Sequence, residues 1–300
     1  MARKIVSTPK PLLPQKPIKT QITRSVPIVK KIQIQKIQPT SKPKPQIQKP
    51  KASIKEHIKP QKIKKSKPVS YITTDITPHS IQNIGKIRNI GTGKILCILG
   101  NGPSLNEVDT KAIKHLNIDM LCVNHPDPRV WPTKYWAFFD SSQMRRHTDI
   151  WDSYDGLIFN STAIKKQKEK SMQFRSLRTK GFSRDLIKGI HIGRSSVYAS
   201  MQIALWMNYD HVFILGMDMN PNGINGQLHY YGTNPDTDPS SRIKSFEKEA
   251  ENYEFAATQV LTEEERKRFY ICSDYNNWPF TKLFSKISHK TTISKIEELL

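Results

Sequence analysis

The stretch Lys94-Ile-Leu-Cys-Ile-Leu-Gly-Asn-Gly-Pro-Ser-Leu105 decides the fold class. A run of apolar residues bounded by turn formers reads as a strand buried on both faces. Gly100-Asn101-Gly102-Pro103-Ser104 then breaks the strand, and Leu105 opens a polar, helix-like segment. A buried strand that stops at glycines and turns into a helix leaves main-chain N–H groups pointing outward, an arrangement suited to phosphate. The loop is therefore expected to hold an anionic, nucleotide-like ligand through the amides of Gly102 to Ser104.

Outward from this stretch, short apolar runs alternate with polar ones. They predict strands at Ile95 to Leu99, Met120 to Asn124, Tyr135 to Asp140, Leu157 to Asn160, Val212 to Met217 and Phe269 to Cys272. That alternation is the signature of an α/β fold, a Rossmann-like, mainly parallel, doubly wound sheet. The spacing of Val197, Met201, Ala204, Leu205 and Asn208 predicts a helix from Ser195 to about Asn208, with the two serines at its N-cap. A second helix is expected from Ser240 to about Val260. The basic, weakly patterned stretch from Ala163 to Gly189 reads as a mobile insertion or lid. The folded domain is expected over residues 91–288, followed by a C-terminal helix over 289–300.

Charge divides the chain unevenly. The net charge is +22, and 21 of the 48 Lys and Arg stand in residues 1–90 against two acids, Glu56 and Asp75. This segment has no aromatic residue before Tyr71 and is punctuated by Pro, as in Pro39-Thr-Ser-Lys-Pro-Lys-Pro45. It cannot bury enough apolar surface to offset chain entropy, so a disordered basic tail is expected, able to bind polyanions such as nucleic acid or an acidic surface. Three cysteines, Cys97, Cys122 and Cys272, each sit in an apolar run and fit reduced core residues rather than a disulfide framework. With no apolar run of membrane-spanning length and no secretory h-region, a cytoplasmic protein without a transmembrane segment is expected.

Open parallel sheets bind ligands beyond the carboxyl ends of their strands. In this chain those ends carry Asn101, Asn124, Asp140, Asn160 and Asp218, all able to hydrogen-bond. Ser195 and Ser196, after Ile190-His-Ile-Gly-Arg194, form a second candidate anion site. His229-Tyr230-Tyr231-Gly232 is the best proton-transfer cluster: a histidine titrates near neutrality, and tyrosine hydroxyls can support a departing phosphate. Several chemistries are unsupported. The glycine loop lacks the third glycine of a dinucleotide fingerprint and the Gly-Lys-Ser/Thr of a P-loop. No Gly-x-Ser-x-Gly elbow occurs, and the scattered histidines lack metal-ligand spacing.

At these residues the sequence resembles the bacterial lipooligosaccharide sialyltransferases and the wider group of motility-associated glycosyltransferase-like and hydroxymethylpterin-pyrophosphokinase-like proteins. The similarity covers residues 94 to 285. Carried onto this chain, it implies donor-nucleotide contacts at Gly100, Asn101, Gly102, Pro103 and Ser104, and at Asn124 within Cys122-Val-Asn124. It implies a nucleotide grip at Ser195-Ser-Val-Tyr198, with Ser196 in place of the family's glycine, and an acid near the sugar or base at Asp218. The family's His-Tyr-x-Gly-His cluster stands here as His229-Tyr-Tyr-Gly-Thr233, so Thr233 occupies the position of the catalytic base. His229, Asp236 or Asp238 then has to replace it, or the reaction differs. A Tyr expected shortly after the acid is replaced by Met219-Asn220-Pro221.

The resemblance implies a nucleotide-sugar-dependent glycosyltransferase with no bound cofactor, a nucleotide-sugar donor that is CMP-linked in the sialyltransferases, and a glycan or other hydroxyl acceptor. His229, Tyr230 and Tyr231 would be the catalytic residues. An alternative on the same fold is an ATP-dependent pyrophosphoryl transferase with Asp140 and Asp218 facing Mg²⁺. A third is a non-enzymatic nucleic-acid-binding or virion-associated protein, in the host cytoplasm if viral, that acts through its tail.

Overall fold

A computed structural model describes residues 81–161, 171–232 and 239–300. The expected basic tail lies outside these residues except for its last ten, and Thr233, Asp236 and Asp238 lie outside them as well. The strands are Ile95–Leu99 (β1), Asp119–Val123 (β2), Tyr135–Ala137 (β3), Leu157–Ser161 (β4), Ser171–Phe174 (β5), Ser176–Leu177 (β6), Ile190–His191 (β7), His211–Leu215 (β8), Phe269–Cys272 (β9) and Ser285–Ile287 (β10). Eight of them form one wholly parallel sheet in the order β10-β9-β8-β1-β2-β3-β4-β5, while β6 and β7 pair with each other. The helices are Ile81–Ile84 (α1), Thr110–His115 (α2), Ser141–Arg146 (α3), Thr148–Ser153 (α4), Ser196–Trp206 (α5), Pro239–Phe255 (α6), Glu263–Lys267 (α7) and Thr292–Leu299 (α8).

Alternation along the central strands sends successive side chains to opposite faces. Leu96 and Ile98 of β1, with Val212 and Ile214 of β8, join a core completed by Met201 and Ile203 of α5 and Tyr253 of α6. Ile95, Cys97 and Leu99, with Phe213 and Leu215, face the other core, which Ile113 of α2, Trp151 of α4 and Ile296 of α8 close. Every residue of β1 is buried, which explains why its sequence is continuously apolar instead of alternating. The result is three layers with helices on both faces of the sheet, the expected Rossmann-like architecture.

Chain direction places the site. From β1 the chain runs outward through β2, β3, β4 and β5, then crosses back to β8 on the other side of β1 and continues to β9 and β10. β1 and β8 pair in parallel from Ile95 opposite His211 to Leu99 opposite Leu215. Their connections leave in opposite directions, so a crevice opens beyond their carboxyl ends.

The structure corrects several expectations. The fold begins before residue 91: Ile84 and Ile87 are fully buried, the Trp206 indole donates to the Ile84 carbonyl at 2.9 Å, and the Gly91 N–H donates to the Met207 carbonyl at 2.8 Å. This segment covers the C-terminal end of α5. The described part of the supposed lid, residues 171–189, is built into the fold, with β5 at the sheet edge and Phe174, Phe182 and Leu186 in the core. Polar residues between these anchors hide the pattern in the sequence. Two strands also stop early. Gly216 turns β8 aside at φ +65°, and Asp140 caps α3 by accepting from the Ser142 N–H at 2.8 Å. The long second helix is Pro239–Phe255 continued by a π-helical turn, Ala256–Val260, and residues 289–300 hold α8 as expected.

Cys97, Cys122 and Cys272 are buried free thiols, and burial raises all three above the ordinary thiol range. Among the described residues no helix is long and apolar enough to cross a membrane. Because Ile87 is fully buried in the core that α5 shares, Ile87→Ala should lower the unfolding free energy by about 2–4 kcal/mol. A urea-unfolding midpoint unchanged by that substitution would place the segment outside the cooperative core.

Candidate functional site

The loop after β1 is held from below. The Gly100 N–H donates to the Leu215 carbonyl and the Gly102 N–H to the Gly216 carbonyl, both at 2.8 Å, so the loop extends the pairing of β1 with β8 past the end of the sheet. Asp218 completes the grip. Its buried carboxylate accepts from the Ser104 N–H at 2.8 Å, the Ser104 hydroxyl at 2.5 Å and the Ser273 hydroxyl at 2.6 Å. One side chain thereby joins the exits of β1, β8 and β9.

This geometry gives the glycines a reason different from the one expected. A Cβ on Gly100 would lie 2.6 Å from the Gly216 carbonyl oxygen, and one on Gly102 would lie 2.4 Å from the Asp218 carboxylate. They are small so that two main chains and a carboxylate can approach. The amides of Gly102 and Ser104, expected to grip phosphate, are used inside the protein, and Pro103 has none. From Gly100 to Ser104, the Asn101 N–H alone has no partner among the described residues. Asp218 is likewise a positioning residue, enclosed by serines.

Other expected site residues are brought together. The Ser196 hydroxyl donates to the Asn124 side-chain oxygen at 2.9 Å, tying the start of α5 to the end of β2. Asn124 stands at φ +58°, a conformation that asparagine tolerates better than most residues. The Asn101 side chain bridges to the main chain of His125, donating to its carbonyl at 3.1 Å. Ser195 precedes α5 without a side-chain capping bond; its hydroxyl lies 3.1 Å from the Tyr253 hydroxyl of α6. The first-turn N–H groups of α5, at Ser196, Val197 and Tyr198, therefore have no intrahelical partner and keep the partial positive charge of a helix N-terminus.

A cavity of about 470 Å³ opens at this junction. Asn101, Asn124 and Ser196 contribute polar edges to it, Val123, Met217 and Phe246 apolar ones, and Arg194, Arg242 and Glu249 ionisable ones. Arg194 is delivered by a tight turn in which Gly193 and Arg194 have φ +57° and +66° and the Ser195 N–H closes onto the Ile192 carbonyl at 3.0 Å. It has no ion-pair partner among the described residues. Arg242 donates to the Pro221 carbonyl at 2.5 Å.

The His-Tyr-Tyr cluster divides between two roles. Tyr230 is structural: its hydroxyl donates to the Pro126 carbonyl at 2.9 Å and its N–H to the Asn101 carbonyl at 3.0 Å. Its ring packs against the apolar layer that β1 shares. His229 lies in the wall between the main cavity and a smaller hollow of about 200 Å³ that also holds Arg146 and the exposed Tyr231. Its ring stacks on Tyr231 with centroids 5.0 Å apart. Burial holds the His229 imidazole below its usual range and so keeps it uncharged near neutrality. Behind Tyr231, His125 and His147 meet at 3.0 Å between ring nitrogens, and burial lowers His125 to about 4.

Asp140 and Asp218, the pair expected to face a metal, are engaged elsewhere: Asp140 caps α3 and Asp218 binds serines. Among the described residues no group of three or more His, Cys, Asp or Glu is arranged to hold a metal ion. Sequence reasoning missed Arg194, which it named only as the end of the stretch before Ser195, and Glu249, an acid amid the charged residues of α6, where no local pattern marks it as buried. If Asp218 organises the loop as described, Asp218→Ala should lower the unfolding free energy by about 3 kcal/mol or more, because it strands several buried donors, whereas Ser273→Ala should cost about 1 kcal/mol. Equal, small losses in chemical denaturation would contradict that assignment.

No family model, curated protein or solved structure matches the chain.

Proposed function

We propose that the cavity binds a nucleotide sugar and that the protein transfers the sugar to a hydroxyl acceptor. The observation that carries this reading is the position of His229 between two compartments. The larger lies at the switch point of the sheet and suits a nucleotide; the smaller opens beside it and suits an acceptor. Val123, Met217 and Phe246 offer an apolar surface for a base or sugar ring, and Asn101, Asn124 and Ser196 offer hydrogen bonds at its rim. The donor phosphate sits at the N-terminus of α5 and Arg194, with the Asn101 N–H as a further donor. This placement replaces the enclosed amides of Gly102 and Ser104.

Transfer then needs few groups. The acceptor oxygen attacks the anomeric carbon and the bond from that carbon to the phosphate oxygen breaks. The nucleotide leaves with the electron pair, and the acceptor proton passes to the neutral imidazole of His229. Positive charge from Arg194 and the helix N-terminus stabilises the phosphate as it departs. Tyr231, stacked on His229, fixes the imidazole and faces the acceptor compartment.

Two measurements test the reading. In thermal-shift experiments with cytidine, uridine, guanosine and adenosine nucleotides, at least one family should raise the melting temperature, by the linkage that stabilises any folded form binding a ligand. Arg194→Ala should remove that shift. His229→Gln should keep the shift while lowering release of nucleotide from its sugar conjugate by about 10²–10⁴-fold. A folded protein that responds to none of the four families overturns the proposal.

A further inference from the structure

Glu249 is a buried acid of the cavity that the transfer step leaves unused. It stands on α6, is 9% exposed and lines the cavity. The Tyr253 hydroxyl, on the same helix, approaches its Oε1 at 3.5 Å, and Ser195 approaches that hydroxyl at 3.1 Å from the turn before α5. This chain of hydroxyls places the carboxyl at the N-terminal end of α5, where the phosphate is proposed to sit. Phe280 stacks on Tyr253 with centroids 4.8 Å apart and closes the far side.

A carboxylate and a phosphate cannot share so small a space without strong repulsion unless one of them is protonated. The cavity offers limited compensation. Arg194 and Arg242 contribute positive charge, whereas Asp140 and Asp218 contribute negative charge, and His229 is neutral. A carboxylic acid removes the conflict and adds a donor for a phosphate oxygen. We infer that Glu249 is a proton-carrying ligand of the phosphate site, ionisable in the empty protein and protonated whenever the anion is bound. Burial supports the assignment by lifting its carboxyl to about 7, against the opposing pull of the Ser195 and Tyr253 hydroxyls.

The direction of the pH effect follows. Below that value the carboxyl already holds its proton and anion binding takes up none. Above it the free carboxyl is ionised, so each binding event draws a proton from solution and affinity weakens by up to about tenfold per pH unit. Glu249→Gln keeps the shape and a donor but has no charge to neutralise. It should therefore bind the anion more tightly than the unmodified protein at high pH, an outcome that a purely structural glutamate does not produce.

The inference rests on the phosphate placement proposed above, and its test separates the two. The whole protein is titrated calorimetrically with CMP and, in parallel, with sulfate, whose charge is constant from about pH 6 to about pH 8.5. Buffers of low and high ionisation enthalpy report protons taken up. The expected result is uptake that rises from near zero to near one proton over that range, with affinity falling about tenfold or more, and with both effects lost in Glu249→Gln. Binding without uptake, or parallel pH profiles for the two proteins, overturns the role of Glu249 and leaves the nucleotide site standing. Should Glu249→Gln fail to fold, uptake by the unmodified protein decides alone. Failure of sulfate and of all four nucleoside monophosphates, CMP, UMP, GMP and AMP, to bind at about pH 6 overturns the phosphate site and the inference with it.

Discussion

The rest of the structure depends on one buried carboxylate. Asp218 leaves β8 and accepts hydrogen bonds from the main chain and hydroxyl of Ser104 and from the hydroxyl of Ser273. A carboxylate removed from water is costly unless its lone pairs are satisfied by well-placed donors, and these three come from the exits of two other strands. The constraint is mutual. The donors make burial of Asp218 tolerable, and Asp218 fixes the three loops relative to one another. Gly100 and Gly102 are consequences, since each allows an approach that a side chain would block, and Gly216 supplies the left-handed turn at φ +65°. The floor of the crevice is rigid before any ligand arrives, which is the condition for positioning reacting groups without reorganising them.

A rigid floor moves recognition to the walls. With the loop amides enclosed, the groups able to meet an anion come from the start of α5, from the turn that carries Arg194 and from α6. Asn252 of α6 donates to the Gly193 carbonyl at 3.2 Å, and Ser195 meets Tyr253, so the turn is fastened to that helix. The electrostatics of the cavity are correspondingly balanced rather than strongly positive. Two arginines face two engaged aspartates and one buried glutamate whose charge is conditional. In such a setting a single proton on Glu249 takes the formal charge of these five groups from −1 to zero, and burial makes that change count for more than it would in water.

Much of the fold was legible in the sequence, and the legible parts share a cause. The runs Ile95 to Leu99 and Phe269 to Cys272 coincide with strands because both sheet faces are covered, so apolarity is continuous and self-bounding. The helix after Ser195 was visible because a turn sequence precedes a long buried run. Other features depended on partners distant in sequence. The glycine loop reads as a phosphate cradle until Leu215, Gly216 and Asp218 occupy its amides, more than a hundred residues later. Ile84 and Ile87 stand in a basic, Pro-rich neighbourhood and gain meaning only against Trp206. Tyr230 and Tyr231 are adjacent and chemically alike, yet one is turned into the core and the other toward solvent. Glu249 looks like any other acid on a charged helix.

The turn Ile192-Gly193-Arg194-Ser195 shows where the protein accepts local strain. Two consecutive residues are left-handed, and the second has a long side chain, an arrangement that costs on the order of 1 kcal/mol relative to ordinary backbone. Gly193 is forced: a Cβ there would lie 2.3 Å from the Tyr198 ring. Arg194 is not forced by packing, because it is exposed and the turn would close as well with asparagine or glycine at that position, both better suited to the left-handed region. The residue present is the less comfortable one, and what it brings is a cation beside the N-terminus of α5. A backbone cost without a packing reason points to the side chain as its explanation, and the side chain lies on the wall of the cavity whose loop amides are taken by the Gly216 carbonyl and Asp218. The two observations fit one design: the strand exits are locked together internally, and the cavity wall carries an exposed arginine on a turn that packing alone does not require.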